Sequence, residues 1–148
     1  MERLAELKFE LSKDLKEAAK KMGRAEAISL LRMYYRLQDQ RSRAAGQARA
    51  LAANEEPSAL VDWTESHMFD LERRVAKLLD YYSVDHTVAK WARSHYGIGP
   101  VFSSALLAMI DPIKTVTAGD LWAYAGIAPG MRRQRGQKIT WNPDLKAT

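Results

Sequence analysis

The sequence predicts an all-α protein: a long antiparallel coiled-coil arm leading into a compact helical head that contains a helix-hairpin-helix motif. Three observations carry that expectation. Apolar residues recur at three-and-four spacing through successive segments, as on one face of a helix. No sustained alternation of apolar and polar residues, the mark of a half-buried strand, runs anywhere in the chain. A short Asn54-Glu-Glu-Pro57 break separates two long amphipathic stretches, and a loop that short makes neighbours of the helices it joins. The 148 residues therefore divide into 1–83, an N-terminal helix plus the arm, and 84–148, the head with a basic tail.

In the first element, Leu4, Leu7, Leu11, Leu15, Ala18 and Met22 form one stripe over residues 1–23. Lys8, Lys13, Lys16, Lys20 and Lys21 alternate with acids on the other side, and Gly23 ends the helix. The second helix is expected from Arg24 to Ala53, through Ile28, Leu31, Met33, Tyr34, Leu37, Ala44 and Leu51. Pro57 suits the first turn of the third, where its missing N–H costs nothing. That third helix carries Thr64, Met68, Leu71, Val75, Leu78 and Tyr82 in a heptad pattern, the seam of the arm. A dimer seam or an ordinary helical core would use the same stripe.

In the head, Val84 to Tyr96 forms one helical arm, and Val101, Leu106, Leu107 and Ile110 mark the next. Between them Gly97-Ile98-Gly99-Pro100 reads as a hairpin. The two glycines permit backbone conformations closed to other residues, and Pro100 suits the first helical position. Asp111-Pro112 closes that helix. Thr117, three residues before Asp120, suggests a capping box for the last helix, which Gly126 breaks. Of its aromatics, Trp122 is expected to pack and Tyr124 to be partly exposed, since residues two apart cannot share a helical face.

An apolar share of 47% suffices for a core, while the net charge of +5 points to polyanionic partners. The absence of cysteine excludes disulfides, thiolate chemistry and cysteine-held metals. The charged N-terminus has no secretory apolar core, and no apolar run approaches a membrane span. No membrane partner is implied, and a cytoplasmic or nucleoid-associated location is expected. His67, His86 and His95 lack ligand spacing, carboxylates do not converge, and no phosphate-binding loop signature occurs. No metal, no cofactor and no catalytic residue is therefore assigned.

Nucleic-acid binding is the reading these residues favour. The Gly97–Pro100 turn would leave N–H groups at a helix start able to seat a backbone phosphate, although a tight structural turn would use the same residues. The tail adds Arg132, Arg133, Arg135, Lys138 and Lys146 against Asp144 alone, with Trp141 and Asn142 among them. Cations, amides and an aromatic together suit phosphate contacts and base stacking. A second basic segment on the long helix places Arg36 and Arg43 near one face, flanked by Arg32 and Arg49. A solvated outer face would look the same.

Tyr96-Gly-Ile-Gly-Pro-Val101, Ala105-Leu-Leu-Ala108 and the block from Thr117 to Pro129 resemble the C-terminal transposase domain of the bridge-RNA-guided insertion-sequence recombinases. The stretch from Gly136 to Lys146, with Trp141-Asn142, and Tyr34-Tyr-Arg-Leu-Gln-Asp-Gln-Arg41 resemble its phage-borne branch. That domain is similar in turn to the Nop domain of guide-RNA proteins and to the Nop-like Tas proteins of RNA-guided DNA-targeting systems. The resemblance covers about residues 30–148. It implies a guide RNA as partner, target DNA as a second, and a homodimer formed through the arm. It departs from the family in three respects. A RuvC-like nuclease domain does not precede the helices, no serine follows the Gly126-Ile-Ala-Pro129 block, and family members continue past the position matching Leu145. Ser103 and Ser104, inside the hairpin helix, read as small packing residues. The expectation is a guide-RNA-binding module without its own nuclease. The alternatives are a transposase DNA-binding fragment acting with a separate catalytic domain, and a helical oligomerisation module.

Overall fold

The computed structural model describes residues 11–130 and Gly136. Among the described residues it contains six α-helices and no strand: α1 (Lys13–Lys20), α2 (Arg24–Ala53), α3 (Ala59–Ser83), α4 (Thr87–Arg93), α5 (Pro100–Met109) and α6 (Ala118–Ala125). The all-α class is as the periodicity predicts. No described helix is long and apolar enough to cross a membrane.

The long stripe expected over residues 1–23 is shorter where it is described. Ser12 accepts a hydrogen bond from the Leu15 N–H at 3.3 Å and starts α1 at Lys13, so Leu11 precedes the helix. Ala19, not Ala18, is its buried residue, and Leu15 is half exposed. Gly23 serves as the N-cap of α2, whose limits fall where the sequence placed them. The next boundary differs from expectation. Ser58, not Pro57, sets the start of α3, because its hydroxyl can accept from the Val61 N–H at 3.4 Å while proline's ring has no such group.

α2 and α3, about 45 and 37 Å long at 1.5 Å per residue, pack antiparallel. Arg41 meets Glu72, while Gln40, Arg43, Ala44 and Gln47 lie opposite Leu60, Val61, Thr64 and Met68. The face of α3 that turns inward is not quite the predicted heptad. Val75 and Tyr82 are buried, but Leu71 is exposed and Leu78 only half-buried, while Glu72 and Leu79 take the inner positions. The physical reason is the Arg41–Glu72 ion pair: a charged residue occupies a seam position that apolar periodicity had assigned to its neighbour.

The core cluster joins Met22 and α2 (Ala27, Leu31) to α3 (Val75, Leu79, Tyr82) and α5 (Ala105, Ala108, Met109). It thus draws on both sides of the boundary placed between residues 83 and 84. The α5 helix enters it through Ala105, Ala108 and Met109, with Val101 and Leu107 partly buried against the cluster and Ser103 and Ser104 buried beside it. Small side chains let α5 approach α2 and α3 closely. Arg24, the first residue of α2, ties the far end: its guanidinium donates to the Ala108 carbonyl at 2.6 Å and the Met109 carbonyl at 3.1 Å, and lies 3.4 Å from Asp111. These are carbonyls a helix C-terminus leaves unpaired, so the cation is placed where the helix dipole favours it.

Candidate nucleic-acid interface

The corner between α4 and α5 is built on a buried polar network. Arg93 donates from Nη1 to Asp80 at 2.7 Å, from Nε to Ser103 Oγ at 2.8 Å, and from Nη2 to Ser83 Oγ. Ser104 Oγ sits 2.7 Å from the carbonyl oxygens of Leu79 and Pro100 and 2.8 Å from Ser83 Oγ. All three serines are fully buried, and among the described residues no buried side-chain polar atom lacks a partner. Ser103 and Ser104 are therefore small packing residues that also join α3, α4 and α5 through their hydroxyls. A buried polar network satisfied at every member fixes geometry more strictly than apolar contact does.

With Ala89, Ala92 and Arg93 turned inward, the rest of α4 faces out. Lys90, Trp91, Ser94, His95 and Tyr96 are exposed. The Trp91 and His95 rings meet edge to face at 4.7 Å, and His95 Nδ1 lies 3.1 Å from the Trp91 carbonyl oxygen.

The turn itself separates the roles of its glycines. Gly97 has φ of 87°, the left-handed region that glycine enters without cost. Gly99 is extended (φ −90°, ψ −177°), a conformation open to any residue, so the expectation that both glycines are conformationally required holds for Gly97 alone. The Ile98 N–H donates to the His95 carbonyl at 3.3 Å. Pro100 occupies the first turn of α5 as predicted, and the N-cap Gly99 has no side chain with which to cap it. A Cβ on either glycine would meet no atom within 4 Å, so open space surrounds both.

The second predicted basic segment lies elsewhere. Arg36 and Arg43 are both exposed on α2, which packs on α3 and α5. Arg43 pairs with Asp39 at 2.8 Å and lines a shallow groove of about 410 Å³ with Gln40, Gln47, Leu60 and Val61. Arg43 follows the core residue Leu31 by twelve positions of one continuous helix, so it lies roughly 18 Å along α2 from the level at which α5 packs. Arg41, between them, is committed to Glu72 at 2.6 Å and stacks its guanidinium 5.4 Å from the Phe69 ring centre. The tail residues Arg132, Arg133, Arg135, Lys138, Trp141, Asn142 and Lys146 lie outside the described residues.

Near the end of the described chain, the capping box at α6 is complete: Thr117 Oγ1 accepts from the Asp120 N–H at 3.2 Å, and Asp120 accepts from the Thr117 N–H at 2.9 Å. Hydrogen bonds from the Thr117 hydroxyl first, and then from its N–H, hold the Asp120 carboxyl below its ordinary range. Trp122 is 49% exposed, against the expectation that it packs, while Tyr124 is partly exposed as expected. The helix presents Leu121, Tyr124 and Ala125 inward, a face one residue away from Trp122.

Periodicity gave no sign of the exposed Trp91 and Tyr96, nor of the inward Arg93. The signal available was the run from His86 to Ile110, which holds Lys90, Arg93 and two histidines without one acidic residue. Among the described residues no group of three or more acidic or histidine side chains is placed to hold a metal ion. The chain matches no protein-family model, and no similarity links it to a characterised protein or a solved structure.

Proposed function

We propose that the chain is a nucleic-acid-binding module that holds a guide RNA and can present it to target DNA. The observation that carries this reading is the α4–α5 corner, which has no acidic residue from His86 to Ile110, pairs Asp80 with Arg93, and projects Lys90 and the Gly97–Pro100 turn outward from its polar network. A polyanion approaching that surface meets no repelling carboxylate from His86 to Ile110. Val101 and Phe102 follow Pro100 in the uncapped first turn of α5, and their N–H groups would add to the attraction for one backbone phosphate. Arg132, Arg133, Arg135, Lys138 and Lys146 would contribute further phosphate contacts, Asn142 an amide, and Trp141 a stacking ring. In this reading the turn acts as a helix-hairpin-helix, and α2 with α3 acts as a coiled-coil arm that pairs two copies and carries Arg36 and Arg43 along the bound strand.

The motif resemblance to the insertion-sequence recombinases and to Nop-like proteins supports RNA as the partner. The test is to purify the protein co-expressed with its flanking locus and to sequence the nucleic acid that survives a high-salt wash. One discrete RNA species is the expected result. Random fragments or none would instead favour a helical oligomerisation module.

A further inference from the structure

We propose that Trp91 and Tyr96 form a stacking platform for unpaired bases, so that the nucleic acid engaged at this corner is single-stranded there. The inference rests on the nucleic-acid reading above and narrows its substrate class. Trp91 is 65% exposed and Tyr96 fully so. They stand five residues apart, on either side of the α4 C-terminus, on a corner held by the Arg93 network. Both are more open than the other exposed aromatics, Trp63 at 50% and Trp122 at 49%, which leaves their apolar area at this corner free for an occupant. Among the described residues the ring beside Trp91 is His95, at 4.7 Å and steeply inclined to it, so the two rings are not stacked face to face.

The charge around the rings selects the occupant. Lys90 precedes Trp91 directly, no acid lies between His86 and Ile110, and Arg93 is spent inward on Asp80. A flat aromatic flanked by a cation, with the Asp80 carboxylate of this corner already paired to Arg93, suits a base with its phosphate. A protein surface would as readily call for mixed charge at the rim. Unpaired bases follow from geometry: stacking needs a free π-face, which a duplex buries against its own neighbours. A helix of only seven residues, with one exposed cation, also lacks the row of long polar side chains that reads a duplex groove. Stacking tolerates any base, so the corner contributes affinity without sequence preference.

The test is fluorescence anisotropy with two labelled probes, a single-stranded oligouridylate and a fully paired RNA duplex of equal length. It compares the intact protein with Trp91→Ala, Trp91→Phe, Tyr96→Ala and an Ile113→Ala control, all at exposed positions. Trp91→Ala and Tyr96→Ala should each weaken single-strand binding about tenfold, with little change on the duplex. Trp91→Phe should restore most of the affinity, Ile113→Ala should match the parent, and the salt dependence should not move because the phosphate contacts remain. Unchanged single-strand binding by both alanine variants would overturn the platform while leaving the nucleic-acid reading intact, and so would equal weakening on both probes. Binding of neither probe by the parent protein would overturn both. Dissociation of a dimer by Trp91→Ala in sedimentation would assign the rings to a protein interface instead.

Discussion

Arg93 and Arg24 each convert one side chain into a long-range structural tie. Arg93 satisfies an aspartate and two buried serine hydroxyls at once, a geometry that a planar guanidinium can meet and an ammonium cannot. Arg93→Ala should therefore cost about 2 kcal/mol in urea unfolding, because Ser83 and Ser103 lose their charged donor while Asp80, partly exposed, regains water. Arg93→Lys should recover less than half of that. Arg24→Ala should cost about 1 kcal/mol, since its side chain is itself 41% exposed while the carbonyls it serves belong to a helix end. Neither arginine was legible as structural in the sequence. Arg24 finds its partners more than eighty residues away, and Arg93 looks like one more cation in a basic stretch. What local sequence does encode is what local sequence can satisfy, as when Thr117 and Asp120 close a box within three residues.

For single elements, the α2–α3 pair turns on one buried charge. Glu72 is 6% exposed and depends on Arg41 for compensation, so Arg41→Ala, which strands the carboxylate, should destabilise by about 3 kcal/mol, and Glu72→Ala, which leaves the more exposed cation, by less. Replacing both partners by leucine should be close to neutral, and a double-mutant cycle in urea measures the difference. The same carboxylate, after burial itself, helps push the Tyr34 phenol up from its usual range, which places Tyr34 beside the pair. Element ends behaved differently from element faces. Gly23 and Asn54 bounded α2 correctly, because breakers and caps act through their own backbone. The inner face of α3 was misassigned at Leu71 and Leu78, because periodicity counts apolar letters and cannot see that an ion pair will take a seam position. In α6 the capping box makes the helix acid-sensitive. The Asp120 carboxyl is lowered by Thr117, so its stabilising effect is full above the ordinary carboxylate range and is lost as pH falls through the lowered value. Asp111, lowered by the Ile113 N–H and then by Arg24, acts in the same direction. Circular dichroism over an acid titration should show helix melting on acidification, with Asp120→Ala flattening the profile. Thr117→Ala should cost about 1 kcal/mol at neutral pH.

Across the whole molecule, charge is distributed so that the fold and the proposed interface use different cations. Arg24, Arg41 and Arg93 are engaged in the core and its ties, whereas Lys90 faces outward and the Arg132–Lys138 cluster accounts for much of the +5 net charge. A substitution in the second group should therefore alter binding without altering stability, which gives a prediction with two separable readouts. Arg132→Glu combined with Arg133→Glu should leave the urea midpoint unchanged. The same pair should weaken single-stranded RNA binding and lower the slope of log K against log salt by about 0.7 for each phosphate no longer neutralised, the value for single strands. Lys90→Glu should lower the slope by a similar single step, and the two effects should add if tail and corner engage different phosphates of one strand. The converse control is Glu72→Ala, which should shift the urea midpoint and leave the salt slope where it was, provided binding is measured below the unfolding transition. Affinity and stability moving together in the Arg132/Arg133 variant would mean that the tail is part of the fold. A slope that does not respond would mean that these arginines face no phosphate, and the polyanion would then have to be held by the α4–α5 corner alone.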